Sequence, residues 1–392
     1  MAAPLVVIGA GLAGWTTVRE LRKLDKLTPV IVVTADSGDF YAKPGLSNAL
    51  AQKRRPEQLV STSAAKMAET LDVTLLAHSR VEQLDVAARR LTVSSGGASQ
   101  TLAYSKLVLA TGAQPIRSAI DGNAAAQVLS VNALSDFAAL FARLQEGDAT
   151  TGKTVLVIGA GLIGCEFAND LLQADHRVHV VDPSPRPLAA LLPESASLQL
   201  QQALQDLGAH WHFGTTVQAV DAAASGQLQV TLADGTQWAV DAVLSAIGLR
   251  ADTALATAAG LLCERGIVVD RFLQTSADHI YALGDCAQYA SAGQRTLPYV
   301  MPIMHAAKAL AATLNGSTTA LEFPLMPVSI KTPALPIVVA AAHPALAGQW
   351  LADAQESQGI WRFLDAQGAQ RGFVLTGKST AKRMELSKTT QL

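Results

Sequence analysis

The sequence predicts an α/β protein with two Rossmann-like dinucleotide-binding domains and a small C-terminal α+β domain. Three observations predict it. The apolar run Leu5–Ile8 breaks on Gly9, Gly11 and Gly14 and continues into Arg19, Glu20 and Leu21, which reads as strand, tight turn and helix. The pattern returns at Val155–Ile158 with Gly159, Gly161 and Gly164. The residues beyond 320 hold no such fingerprint, and Ile337–Ala340, Trp350, Trp361–Phe363 and Gly372–Leu375 read as a small antiparallel sheet.

In each fingerprint the first glycine allows the turn, the second lets backbone approach a pyrophosphate, and the third lets the helix pack on the strand. Phosphate then sits at the helix N-terminus. One fingerprint is weak evidence, but each copy also closes on an apolar strand ending in glycine, Leu107–Gly112 and Val243–Gly248. That echo marks a duplicated nucleotide-binding fold. The polar linker Glu146–Gly152 separates the copies.

Composition narrows the function. The chain has 392 residues, enough for two or three domains. Its 30 Lys and Arg nearly balance 32 Asp and Glu, so no broad basic field points to nucleic acid. Cys165, Cys263 and Cys286 lie far apart, with no metal-ligand or redox-pair spacing, and read as buried small residues in a reducing cytosol. No basic leader precedes the first strand, and no apolar run reaches the roughly 20 residues of a membrane span. A soluble, cytoplasmic protein is expected.

In chain order, the strand Val30–Thr34 ends at Ala35 and Asp36, about 20 residues past Gly14, where a carboxylate accepts hydrogen bonds from a ribose. The plainer alternative is that Asp36 starts the turn Asp36–Asp39. Next, Lys43, held by Pro44, is placed to reach phosphate or the edge of a flavin, or is a solvated surface lysine; the cluster Lys53, Arg54, Arg55 follows. Alternation over Val81–Val86, Arg90–Val93 and Thr101–Tyr104 predicts an antiparallel meander that opens at Val81.

In the second copy Val178–Val181 ends on Asp182, whose charge favours a free 2'-hydroxyl and hence NADH over NADPH; Arg186 nearby pulls the other way. Glu166, just past Gly164, either faces the nicotinamide or complements the helix dipole. Ile280–Gly284 places Asp285 at a strand's carboxyl end, where ligands of open α/β sheets bind. A helix runs from near Val300 to Leu314, with Pro302 in its first turn and Asn315–Gly316 as its stop; its N-terminus suits developing negative charge. His305 and the neighbouring methionines read as core filler. The tail Lys378–Lys388 reads as a solvated basic helix face.

The two fingerprints, Ala110–Gly112, Thr275–Asp285 and Lys331–Pro333 occur in the order found in the glutathione-reductase-like flavoproteins, the pyridine nucleotide-disulfide oxidoreductases. The chain resembles that family over nearly its whole length. Within it, Tyr41–Ser47, Gly164–Asp170 and Lys331–Pro336 resemble the NADH-dependent rubredoxin reductases of alkane-oxidising bacteria. The resemblance implies FAD at the first site, held by Gly9, Ala10, Gly11, Leu12, Ala13, Gly14, Thr34, Ala35, Asp36, Lys43, Val81, Thr111, Gly112, Glu166, Asp285, Val300 and Lys331. Lys43 and Lys331 would lie near the flavin ring with Glu166 as charge partner. NADH would sit on Gly159, Gly161, Ile163, Gly164 and Asp182.

One departure matters. Flavin disulfide reductases carry a cysteine pair soon after the first acidic strand end, yet Asp36–Lys66 contains no cysteine. Electrons are therefore expected to leave the flavin directly, with no acid, base or nucleophile and no metal. The resemblance implies an FAD domain of residues 1–115 and 249–320, an NADH domain of 116–248, and a C-terminal domain of 321–392 covering the flavin. The expected acceptor is rubredoxin, a small acidic iron protein, in electron supply for alkane hydroxylation or oxygen defence. Alternatives are a ferredoxin, the flavorubredoxin of a nitric-oxide reductase, a quinone, and a non-catalytic flavin redox sensor. A monomer or homodimer is expected.

Overall fold

The structure, a computed structural model, describes residues 3–146, 152–353 and 359–391. Most of the predicted linker, residues 147–151, lies outside the described residues. The chain forms two compact units: residues 1–42, 60–114 and 249–324, and residues 43–59, 115–248 and 325–392.

The first unit is built on a five-stranded parallel sheet in the order Ile280–Ala282, Lys106–Leu109, Leu5–Ile8, Val30–Val33, Thr74–Leu76. Leu5–Ile8 is buried along its whole length, as a strand covered on both faces must be. The fingerprint helix Leu12–Leu24 buries Trp15, Val18 and Leu21 at helical spacing, and Arg22 and Lys23 complement its C-terminal dipole. It packs along the helix Val300–Leu314. The meander forms as Arg80–Asp85, Arg90–Ser95 and Ala98–Ala103, and Leu84, Leu91 and Val93 join the same core.

Met301 and Met304 are 45% and 39% exposed, so they are not the core filler expected from sequence. Ile303, Ala306, Ala307 and Leu310 take the buried face of that helix. The two methionines fall on its other side.

The second unit repeats the theme with a parallel sheet, Ala209–Phe213, Arg177–Asp182, Thr154–Ile158, Ala242–Ser245. A three-stranded antiparallel sheet, Val217–Ala222, Leu228–Leu232, Gln237–Val240, packs beside it. The C-terminal residues form a five-stranded antiparallel sheet in the order Val328–Ile330, Ile337–Ala340, Gln370–Thr376, Ile360–Asp365, Gly348–Ala352. Trp361 Nε1 donates to Ser195 Oγ at 2.9 Å and Thr376 Oγ1 to Gln199 Oε1 at 2.8 Å, fastening that sheet to the helix Glu194–Asp206.

The basic tail is not one solvated helix. A 3₁₀ turn, Gly377–Lys382, precedes the helix Arg383–Thr389, and Leu386 is 2% exposed against the sheet. Among the described residues no helix is long and apolar enough to cross a membrane.

Candidate functional site

In the first unit the candidate residues follow the carboxyl ends of the parallel strands, the ligand side of an open α/β sheet. Gly9 has φ +107°, and a Cβ there would lie 2.2 Å from Ala110 O. A Cβ on Gly14 would meet Gly9 O at 1.9 Å, so this glycine seats the helix on the turn. A Cβ on Gly11 would meet nothing within 4 Å. That opening faces a helix start with no side-chain cap, which leaves the Leu12 and Ala13 N–H groups available to an anion. The residues therefore fit a dinucleotide pyrophosphate.

The other segments gather around this loop. Gly284 approaches so closely that a Cβ would come within 2.8 Å of Ala13 Cβ, which brings Asp285 to the start of the fingerprint helix. Thr111 Oγ1 donates to Asp252 O at 2.8 Å, and Gly112 O accepts from Asp252 N at 3.0 Å. Ser79 N donates to Thr34 O and His78 N to Asp36 O, both at 2.8 Å, so the chain leading to Val81 runs beside Thr34–Asp36. A pocket of about 330 Å³ lined by Ala35, His78, Arg80, Glu82, Ser94 and Ser95 opens there.

Strand register separates the two acids that sequence spacing treats alike. Ile8 pairs with Val33 and Ile158 with Val181, so the counterpart of Asp182 is Thr34, not Asp36. Asp36 Oδ1 accepts from Thr34 Oγ1 at 2.6 Å and Gly38 N at 2.9 Å, which makes it a turn-forming residue. Val300 opens the helix Val300–Leu314 and is 38% exposed.

The second fingerprint has the same construction. Gly159 has φ +104°, a Cβ on Gly164 would meet Gly159 O at 1.9 Å, and Gly161 faces open space at the uncapped start of the helix Leu162–Gln173. Ile163 is 40% exposed in its first turn. Asp182 Oδ2 accepts from Ala160 N at 2.6 Å and Oδ1 from Ser184 N at 2.7 Å, so the carboxylate lies against the fingerprint loop. Arg186 is turned to its own segment, donating to Leu192 O at 3.2 Å.

Further along that helix, Glu166 is 1% exposed and ion-paired with Lys331 Nζ. Its Oε1 accepts from Lys331 N at 2.9 Å and its Oε2 from Ser47 Oγ at 2.6 Å, while Lys331 Nζ also donates to Ser47 Oγ at 2.7 Å. The carboxylate thus neutralises a lysine within the unit, a burden beyond complementing the helix dipole. Lys43 is not part of this pair; its Nζ donates to Asn132 Oδ1 at 3.1 Å.

Sequence spacing missed several contacts because the partners are remote. Ser47 completes the Glu166–Lys331 triangle, and Asp170 accepts from Leu50 N and Ala51 N. His179 and His212 come together only through strand pairing: Nδ1 of His179 lies 3.1 Å from Nε2 of His212, and His210 stacks on His179. Burial, then the neighbouring histidines and Arg177, push His179 down to about 4.

Cys165 and Cys286 are buried and Cys263 half-buried, and all three thiols are free. Burial raises the Cys165 and Cys286 thiols above their ordinary range, the reverse of what a redox nucleophile needs. Among the described residues no cluster of three or more His, Cys, Asp or Glu could hold a metal.

Residues 3–312 match the family described as pyridine nucleotide-disulphide oxidoreductase, and residues 320–390 match the rubredoxin binding C-terminal domain. A rubredoxin-NAD(+) reductase of Alcanivorax borkumensis is 44% identical over 385 residues, covering 98% of each chain. A nitric oxide reductase FlRd-NAD(+) reductase of Aliivibrio fischeri is 38% identical, covering 96% of each. Among solved structures, a ferredoxin reductase from Rhodopseudomonas palustris superposes with a TM-score of 0.86 at 26% identity, covering 99% of this chain and 95% of its own. With twin fingerprints built alike and matches running from end to end, the chain belongs to the pyridine nucleotide-disulphide oxidoreductase family, oxidoreductases that use a flavin and NAD(H).

Proposed function

We propose that the protein takes electrons from NADH through FAD and delivers them singly to rubredoxin. The observation that carries this reading is the match of residues 320–390 to a rubredoxin-binding domain, following a flavin and pyridine-nucleotide domain pair.

FAD, when bound, accepts the hydride as an electron pair and releases single electrons. The protein's residues supply position and charge. Gly9–Gly14 would hold its pyrophosphate, with Thr34–Asp36 and Val81 towards the adenosine, and Thr111, Gly112, Asp285 and Val300 towards the other end. The uncapped start of the helix at Val300 would favour negative charge there. Lys43, and Lys331 balanced by Glu166, would stand towards the ring. Gly159, Gly161, Ile163 and Gly164 would hold the NADH pyrophosphate and Asp182 the ribose.

In domain terms we place FAD on residues 1–115 and 249–320, NADH on 116–248, and the rubredoxin-binding domain on 321–392. Lys53 and Arg55, and the tail cations Lys378 and Lys388, are exposed and would meet an acidic partner.

The test compares kcat/KM for rubredoxin, ferredoxin, flavorubredoxin and quinone with NADH as donor. Rubredoxin should lead, and its on-rate should fall as salt rises. A preference for flavorubredoxin would favour the second reading, which the 38% identical nitric oxide reductase FlRd-NAD(+) reductase supports. Flavin bleaching without transfer to any acceptor would favour a sensor.

A further inference from the structure

The helix Leu162–Gln173 does more than open on the second fingerprint. Glu166, Asn169 and Asp170 are all buried, and their i, i+3, i+4 spacing puts them on one face. Each holds backbone from a distant loop. Glu166 Oε1 accepts from Lys331 N, and Asn169 Oδ1 accepts from Ala334 N at 3.0 Å. Asp170 Oδ2 accepts from Leu50 N at 3.1 Å and Oδ1 from Ala51 N at 2.9 Å. The helix that would carry the NADH pyrophosphate therefore fixes the two segments bearing Lys43 and Lys331.

We infer that Asp170 is a positioning residue for electron transfer, which holds the Lys43 segment to the second fingerprint helix as a carboxylate and loosens it on taking up a proton. The argument is geometric. Each carboxylate oxygen has its own backbone donor, so a proton on either oxygen turns a charged acceptor into a hydroxyl and weakens the bond from that N–H.

The groups facing Asp170 set where this happens. Burial pushes Asp170 up to about 6, outweighing the N–H groups of Ala51, Leu50 and Ala49 and the charge of Lys331, which favour the carboxylate. Glu166, one turn earlier on the same helix, is occupied by Lys331 and Ser47. The proton thus arrives within a physiological range, whereas an ordinary aspartate would need pH below about 4.

This inference rests on the proposed NADH-to-flavin reaction, but its first readout needs neither cofactor. Hydrogen–deuterium exchange, corrected for the intrinsic pH dependence, is followed at Leu50 and Ala51 from pH 8 to 5 in the wild-type chain, Asp170→Asn and Asn169→Ala. Wild-type protection should fall about tenfold with a midpoint near pH 6; loss of one anchoring hydrogen bond has that size. Asp170→Asn, which also presents a donor to one N–H, should be weakly protected at every pH. Asn169→Ala should expose Ala334 and leave Leu50 and Ala51 protected.

In parallel, stopped-flow reduction of the flavin by NADH should slow through the same midpoint in the wild type and be slow and flat in Asp170→Asn. Protection that ignores pH 6, or wild-type protection in Asp170→Asn, overturns the inference. Should Asp170→Asn not fold, the wild-type exchange titration decides alone. A responsive loop with a flat reduction rate also overturns it. A responsive loop in a chain whose flavin NADH never reduces overturns the functional reading, and the electron-transfer role of Asp170 falls with it.

Discussion

Asp182 ends its strand with each carboxylate oxygen holding one backbone N–H, from Ala160 and from Ser184. Lone pairs remain for a ribose diol, and the charge repels a 2'-phosphate. Asp182→Ala should raise the KM for NADH about 10- to 150-fold, the equivalent of a charge-assisted hydrogen bond of about 1.5 to 3 kcal/mol, and narrow the preference over NADPH. Steady-state kinetics with both nucleotides checks it; an unchanged KM would assign the ribose to another residue. The three cysteines give an opposite expectation. Cys165→Ser, Cys263→Ser and Cys286→Ser should each keep electron transfer in stopped-flow assays, because two of the thiols are buried with raised pKa values and none is paired. The strand end at Asp182 was legible because an acid follows an apolar run at the expected offset. Asp36 satisfied the same offset, yet only strand register shows that it stands two residues beyond the equivalent place. Spacing counts residues, whereas a binding site depends on which residue leaves the sheet first.

At the scale of elements, each fingerprint works because its third glycine lets helix and turn touch. Gly164→Ala would force a methyl to within 1.9 Å of Gly159 O, so the helix must shift away from its turn. A loss of about 1 to 3 kcal/mol in denaturant-determined stability, with weakened NADH binding, is the expected result. Full stability with unchanged affinity would mean that the close approach is dispensable. The paired strands Arg177–Asp182 and Ala209–Phe213 give a second prediction. A folded-state pKa of about 4 against the ordinary 6.5 means that neutral His179 is favoured by folding, so its contribution is complete above pH 6.5 and is lost as pH falls towards 4. The melting temperature should drop across that window, and His179→Gln should flatten the drop; an identical slope would contradict it. Neither this histidine group nor the contacts of Asn169 and Asp170 on the second fingerprint helix were visible in sequence, although Glu166 on the same face was. Leu50 lies 120 residues from Asp170, and only folding makes them neighbours.

For the whole molecule, duplication was the most legible property. Two copies of strand, glycine turn, helix and closing strand recur, and the structure gives each its own parallel sheet. The C-terminal antiparallel sheet was also readable from the short apolar and aromatic segments Ile337–Ala340, Trp361–Phe363 and Gly372–Leu375. The grouping of residues 43–59 with the second fingerprint was not, because it depends on the hydrogen bonds Ser47, Leu50 and Ala51 make to one helix. The central claim is that two nucleotides bind in sites of like construction so that electrons pass from one to the other and leave without sulfur. Its most direct measurement is an anaerobic titration of the FAD-reconstituted Cys165→Ser/Cys263→Ser/Cys286→Ser variant with NADH, followed by oxidised rubredoxin. The account predicts a yellow protein that NADH bleaches and rubredoxin restores. A colourless chain that refuses FAD, or a flavin that NADH leaves oxidised, would contradict it.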